Sequence, residues 1–68
     1  MKQVSGSDST RLVEARGCTL LRINGSDHIH GKAGSIVRLF IPMHGNKPLK
    51  VGLLRHLSKH AGIGEADL

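Results

Sequence analysis

Cys18-Thr19-Leu20-Leu21-Arg22-Ile23-Asn24-Gly25-Ser26-Asp27-His28-Ile29-His30 holds two strands and the turn between them. Cys18 to Asn24 reads as a strand, with Leu21 and Ile23 on one face and Leu20 and Arg22 on the other. Asn24-Gly25 is the strongest hairpin dipeptide available, so a return strand is predicted through His28 to His30. On that strand His28 and His30 share a face, and Asp27 points to the opposite one.

Working outward, Gly31-Lys32-Ala33-Gly34 makes a second turn. Ile36 to Ile41 is a β-branched, aromatic-containing run of strand length that Pro42 stops. Upstream, Ser5-Gly6-Ser7-Asp8-Ser9 offers side chains that accept from the unpaired N–H groups of a helix start. Leu12, Val13 and Ala15 give that helix a short apolar stripe, and Gly17 closes it. Downstream of the polar loop 43–48, Val51, Leu54, Leu57 and Ala61 recur at three- and four-residue intervals, the period of an amphipathic helix. Its other face carries Arg55, His56, Lys59 and His60; Gly62 ends it, with Ile63 placed to pack back across the cap. The order is helix, three antiparallel strands, helix. This is an α+β chain with two helices on one face of a three-stranded sheet, the arrangement of the double-stranded-RNA-binding fold. Residues 1–68 make one domain, without repeat, linker or low-complexity segment.

With 68 residues and one aromatic, Phe40, the core must be built from Leu, Ile and Val. A chain this short buries a small fraction of its surface and leans on a partner or on oligomerisation. The single Cys18 excludes an internal disulfide and suits a reducing cytosol. No apolar stretch approaches a membrane span, and no signal-peptide pattern begins at Met1. The charge of +5 and pI near 10.2 favour a polyanionic partner, or an acidic protein that mimics one. The distribution is sharper than the total. From His28 to Gly64 there is no carboxylate, while all five histidines and six of the ten Lys/Arg residues lie there. A cationic surface carrying imidazoles suits a phosphodiester chain.

Four segments carry a resemblance to a known family. They are Met1-Lys2-Gln3-Val4-Ser5-Gly6, Arg22-Ile23-Asn24-Gly25-Ser26, Ile41-Pro42-Met43-His44, and Leu49-Lys50-Val51-Gly52-Leu53-Leu54-Arg55-His56-Leu57 followed by Ala61-Gly62-Ile63. In this order and spacing the chain resembles the HicA toxins. The resemblance implies the same double-stranded-RNA-binding-like fold and a small messenger-RNA interferase held inactive by a HicB antitoxin. The family's pattern is Gly-Ser-His; here it reads Gly25-Ser26-Asp27-His28-Ile29-His30, so the family's catalytic histidine falls on Asp27. Cys18 and His30 stand where the family often has aromatics.

Cutting RNA without a metal needs a base for the 2′-hydroxyl proton and an acid for the leaving oxygen, and histidine serves either role. An ionised Asp27 repels phosphate, and a carboxylate is a weak base for this step. Its structural alternative is to cap the Asn24-Gly25 turn by accepting backbone N–H bonds. His28 is the nearest replacement, set against the ordinary role of a solvated strand histidine. His30 is expected to be partly buried or to stack on RNA. His28, His30 and His44 could supply three imidazoles to zinc, but no carboxylate or second cysteine in the run would complete the site, and no metal is expected. His56 and His60, one helical turn apart, are solvated or antitoxin-facing. Arg22, Lys32, Arg38, His44, Lys47 and Lys50 are the candidates for RNA contact, each alone an ordinary solvated charge. Lys47-Pro48-Leu49-Lys50 suits a loop whose cations meet a phosphate near a helix N-terminus.

The sequence therefore points to a cytoplasmic toxin that binds messenger RNA and cuts it without metal or small-molecule cofactor, with Asp27 and His28 as candidate catalytic positions and no membrane partner. A reading of a different class is a non-catalytic or inactivated RNA-binding module that still titrates its antitoxin. A DNA-binding role is disfavoured, because the exposed basic helix lacks a second helix at helix-turn-helix spacing.

Overall fold

In the computed structural model, which describes residues 3–68, the elements are α1 (Gly6–Ala15), β1 (Thr19–Asn24), β2 (Asp27–Gly31), β3 (Arg38–Pro42) and α2 (Val51–Ala61), then a 3-10 turn, Glu65–Asp67. Met1 and Lys2, part of the first segment that carries the resemblance, lie outside the described residues. The sheet is antiparallel with β2 at its centre, and both helices lie on one face. The predicted fold class is the observed one. Among the described residues no helix is long and apolar enough to cross a membrane.

Both helices begin and end for local reasons. The Ser5 hydroxyl accepts from the Asp8 N–H at 3.1 Å, satisfying a donor that α1 cannot pair internally. Helix α2 has no such side chain at Lys50. Its hold comes instead from Leu54, Leu57 and Ala61, all buried, at the spacing that places them on one stripe. Burying Leu57 alone contributes about 1.5–3 kcal/mol. Val51, expected in that stripe, is half exposed, because the first turn of α2 overhangs the core. At the other end the Ile63 N–H reaches the Ser58 carbonyl at 2.9 Å, and Ile63 folds back into the core across Gly62.

The hairpin differs from its prediction by one residue. Asn24 stays in β1 and pairs with Asp27, leaving Gly25 and Ser26 as the loop. Gly25 has φ +61° and Ser26 does not have positive φ, so glycine is needed only at the first loop position. Asp27 is thus the first residue of β2 and does not cap the turn; among the described residues its carboxylate accepts no hydrogen bond. The predicted alternation along β1 also fails. A bulge at Leu21 lets Leu20 pair with His30 and Arg22 with Ile29. One extra residue inverts the period, so Leu20 and Ile23 share a side and Arg22 takes the other. The third strand starts at Arg38 rather than Ile36, whose side chain is 95% exposed. Ser35 bends the chain there, its hydroxyl accepting from the Val37 N–H at 3.1 Å.

Val13, Cys18, Leu39, Ile41, Leu57, Ala61 and Ile63 form the core between sheet and helices. Gly6 lets α1 approach the end of β3: a Cβ there would run into the Pro42 carbonyl oxygen. The Leu49 N–H donates to the Val4 carbonyl at 2.7 Å, and Ser5 bridges to Pro48. These ties anchor loop 43–48 beside the start of α1. The carboxylate of Asp67 accepts from the Gly64 N–H at 2.9 Å and from the Arg16 guanidinium, which together hold its pKa below the usual carboxylate value.

Candidate nucleic-acid interface

Strand pairing sorts the sheet into two faces, because directly opposed residues project to the same side. Leu39 and Ile41 face the helices, so their partners His30 and His28 do too, followed by Leu20 and Ile23 on β1. Among the described residues no helix covers the other face. It presents three lateral rows: Asn24, Asp27 and Pro42 at the hairpin end; Arg22, Ile29 and Phe40 in the middle; Gly31 and Arg38 at the far end, with Thr19 beside them. Asp27 is the only carboxylate in those rows.

At the hairpin end, the Met43 N–H donates to the Ser26 carbonyl at 2.8 Å and draws loop 43–48 against the turn. That loop folds on itself through the Lys47 N–H and the His44 carbonyl at 3.2 Å. His44, Lys47 and Lys50 therefore stand together around a groove of about 310 Å³ between the end of β3 and the start of α2. Here the sequence candidates do converge, with Asp27 one strand away. A cationic loop leading into a helix N-terminus is a favourable environment for phosphate.

Lys32 and Arg38 lie at the opposite end of the sheet. They flank a second concavity of about 310 Å³ floored by Gly31. A Cβ at Gly31 would come within 2.7 Å of Leu21 Cδ1 and 3.1 Å of Arg38 Nη1, so the floor is open only because glycine is there. Arg38 is held across this end by donating to the Ser35 and Val37 carbonyls at 3.1 and 3.2 Å. The six RNA-contact candidates thus form two clusters, with Arg22 between them, rather than one patch.

The histidines part company. His28 is half-buried on the helix side of the sheet, opposite to Asp27, as the strand period requires. His30 is wholly buried, so it is neither a solvent-facing cation nor a stacking surface. Its Nε2 lies 2.8 Å from the Glu14 carboxylate, and its Nδ1 has no partner among the described residues. His56 and His60 stay exposed on α2, their rings edge to face at 4.5 Å. Among the described residues, no three His, Cys, Asp or Glu side chains are grouped to hold a metal ion. Two positions escaped the sequence reading. Glu14 looked like one more charge on α1, and nothing local ties it to His30, sixteen residues on. For Phe40 a signal existed in the strand period: it alternates with buried Leu39 and Ile41, so it faces away from the core.

A model of the family described as the HicA toxin of bacterial toxin–antitoxin systems matches residues 6–63. No curated protein matches the chain.

Proposed function

Since this chain belongs to the HicA toxins of bacterial toxin–antitoxin systems, we propose that it is a cytoplasmic RNA-directed toxin that cleaves messenger RNA without a metal and is neutralised by a HicB-type antitoxin. The observation that carries this reading is the family match over residues 6–63. The cationic loop beside the β1–β2 hairpin supports it: His44, Lys47 and Lys50 surround a groove next to the position that the family uses for its catalytic histidine. Arg22, Lys32 and Arg38 extend the positive surface along the sheet, and the partner antitoxin covers the site beside the hairpin with acidic and apolar groups. Cleavage by this route needs a proton acceptor at the 2′-hydroxyl and a proton donor at the departing 5′-oxygen.

A second reading is favoured by one specific observation. Asp27 and His28 project to opposite faces of the sheet, so they cannot act together on one phosphodiester. On that reading the chain is an inactivated toxin that still binds RNA and its antitoxin. Incubating purified chain with a messenger RNA, with and without EDTA, beside the Asp27→His and His28→Ala variants, separates the two. Cleavage by the parent chain that His28→Ala abolishes supports a working nuclease centred on His28. An inert parent with an active Asp27→His variant supports inactivation. Cleavage that EDTA removes would overturn the metal-free mechanism.

A further inference from the structure

The middle row of the open sheet face, Arg22 on β1, Ile29 on β2 and Phe40 on β3, sets one cation beside two apolar side chains. We propose that Phe40, seated against Ile29, is a stacking platform for an unpaired base of single-stranded RNA, whose flanking phosphates are held by Arg22 across the row and by Arg38 in the next. This rests on the RNA-binding reading above and specifies its substrate as single-stranded.

Phe40 is the only Phe, Tyr or Trp in the chain, and it is spent on the face that no helix covers, 51% exposed between buried Leu39 and Ile41. Its cross-strand neighbour Ile29 is 4% exposed although it lies outside the helix-side core. The open face therefore has a small apolar floor of its own at Ile29. A flat ring on an apolar floor, edged by guanidinium groups, is the arrangement by which sheet proteins hold unstacked bases. The spacing agrees. Arg22 and Phe40 are separated by one strand, about 10 Å across the sheet, and Arg38 lies two residues from Phe40, about 7 Å along it. Those spans fit neighbouring phosphates around one splayed base.

Two alternatives fit less well. Duplex RNA hides the faces of its bases, and proteins that read it by shape contact roughly 16 base pairs through helices and loops. Helix α1 sets Arg11 against Asp8 and Glu14, with Arg11 already paired to Asp8 at 3.6 Å, so of the two helices only α2, through Arg55 and Lys59, attracts a duplex backbone. A protein partner would prefer a broader apolar patch than one ring and Leu21 rimmed by arginines.

Fluorescence anisotropy with a short labelled oligoribonucleotide, and with the same sequence as a perfect duplex, tests the proposal on the full chain. The parent should bind the single strand more tightly than the duplex. Phe40→Leu should weaken single-strand binding by roughly 5- to 150-fold, the usual cost of losing one stacked base. Phe40→Trp should keep the affinity, and its emission should be quenched as the oligonucleotide is added. Unchanged affinity in Phe40→Leu, no quenching in Phe40→Trp, or a duplex bound as tightly as the single strand would overturn the platform and leave this face to a protein partner. A parent chain that binds neither RNA would instead overturn the RNA-binding reading itself.

Discussion

His30 Nε2 lies 2.8 Å from the carboxylate of Glu14, joining the central strand to the first helix beneath the sheet. The ring is fully buried while the carboxylate is about half exposed, so the histidine bears most of the desolvation. With a carboxylate as partner, Nε2 carries the hydrogen and donates it. Glu14→Ala leaves that buried donor unpaired and should cost about 1–3 kcal/mol. Glu14→Gln keeps an acceptor and should cost less. His30→Leu removes both ring nitrogens at similar volume, so in that background Glu14→Ala should cost little. Urea melts of the four variants make the cycle. An equal loss with and without His30 would show that Glu14 acts through something else.

The carboxyl-terminal turn should be acid-sensitive. Asp67 is held below its ordinary pKa of 3.8, first by the Gly64 N–H and next by Arg16. A carboxylate with a depressed folded pKa stabilises the fold above its unfolded value, and that contribution fades as pH falls through the folded one. Between neutrality and about pH 4 it is therefore constant, and it is lost only at lower pH. Asp67→Asn should flatten this acid limb and detach Arg16 from the tail. Thermal melts of both proteins from neutral pH downward check it; identical acid limbs would discard the idea.

Two glycines in helices should respond with opposite sign. Gly6→Ala pushes a methyl against the Pro42 carbonyl, and backbone cannot swing aside as a side chain could. A loss of about 1–3 kcal/mol is expected. Gly52, in the first turn of α2, has open space where a Cβ would stand. Gly52→Ala should gain about 0.5–1 kcal/mol through helix propensity and a less disordered unfolded chain. Ser5→Ala, losing the cap to Asp8, should cost about 1 kcal/mol. Denaturation midpoints decide all three, and a stabilised Gly6→Ala would contradict the close approach of α1 to β3.

What could be read from the residues was what depends on short-range rules. Ser5, Asn24-Gly25, Gly62 and the Leu54–Leu57–Ala61 stripe each act within a few residues, and they gave the element order and the fold class. The bulge at Leu21 was not legible, because it is set by pairing with β2, and it moved Leu20 to the side opposite Arg22. The division of the cations was not legible either. Lys32 and Arg38 are near Asp27 in sequence, yet β2 carries them to the far end of the sheet, whereas Lys47 and Lys50, twenty residues on, return to the hairpin. The burial of His30 follows from its pairing with Leu39, which an isolated strand pattern cannot supply.

Asp27 should weaken RNA binding whether or not it takes part in cleavage. It is the sole carboxylate in the three rows of the open face, beside the Arg22–Ile29–Phe40 row. A phosphate about 10 Å away in water is repelled by roughly 0.4 kcal/mol, so Asp27→Asn should tighten binding about twofold for each phosphate at that range. Such a through-solvent effect is screened over about 8 Å at physiological ionic strength, so the gain should shrink as salt is raised. Lys47→Ala and Arg38→Ala should act in reverse, weakening binding to all sequences alike. Each should reduce the slope of log affinity against log salt by about 0.7, the value for one lost contact to a single strand. Anisotropy titrations across a salt series read both quantities. If the gain in Asp27→Asn persists undiminished at high salt, the carboxylate obstructs RNA by contact rather than by charge, and the neighbouring cations then act one residue at a time rather than as a common field.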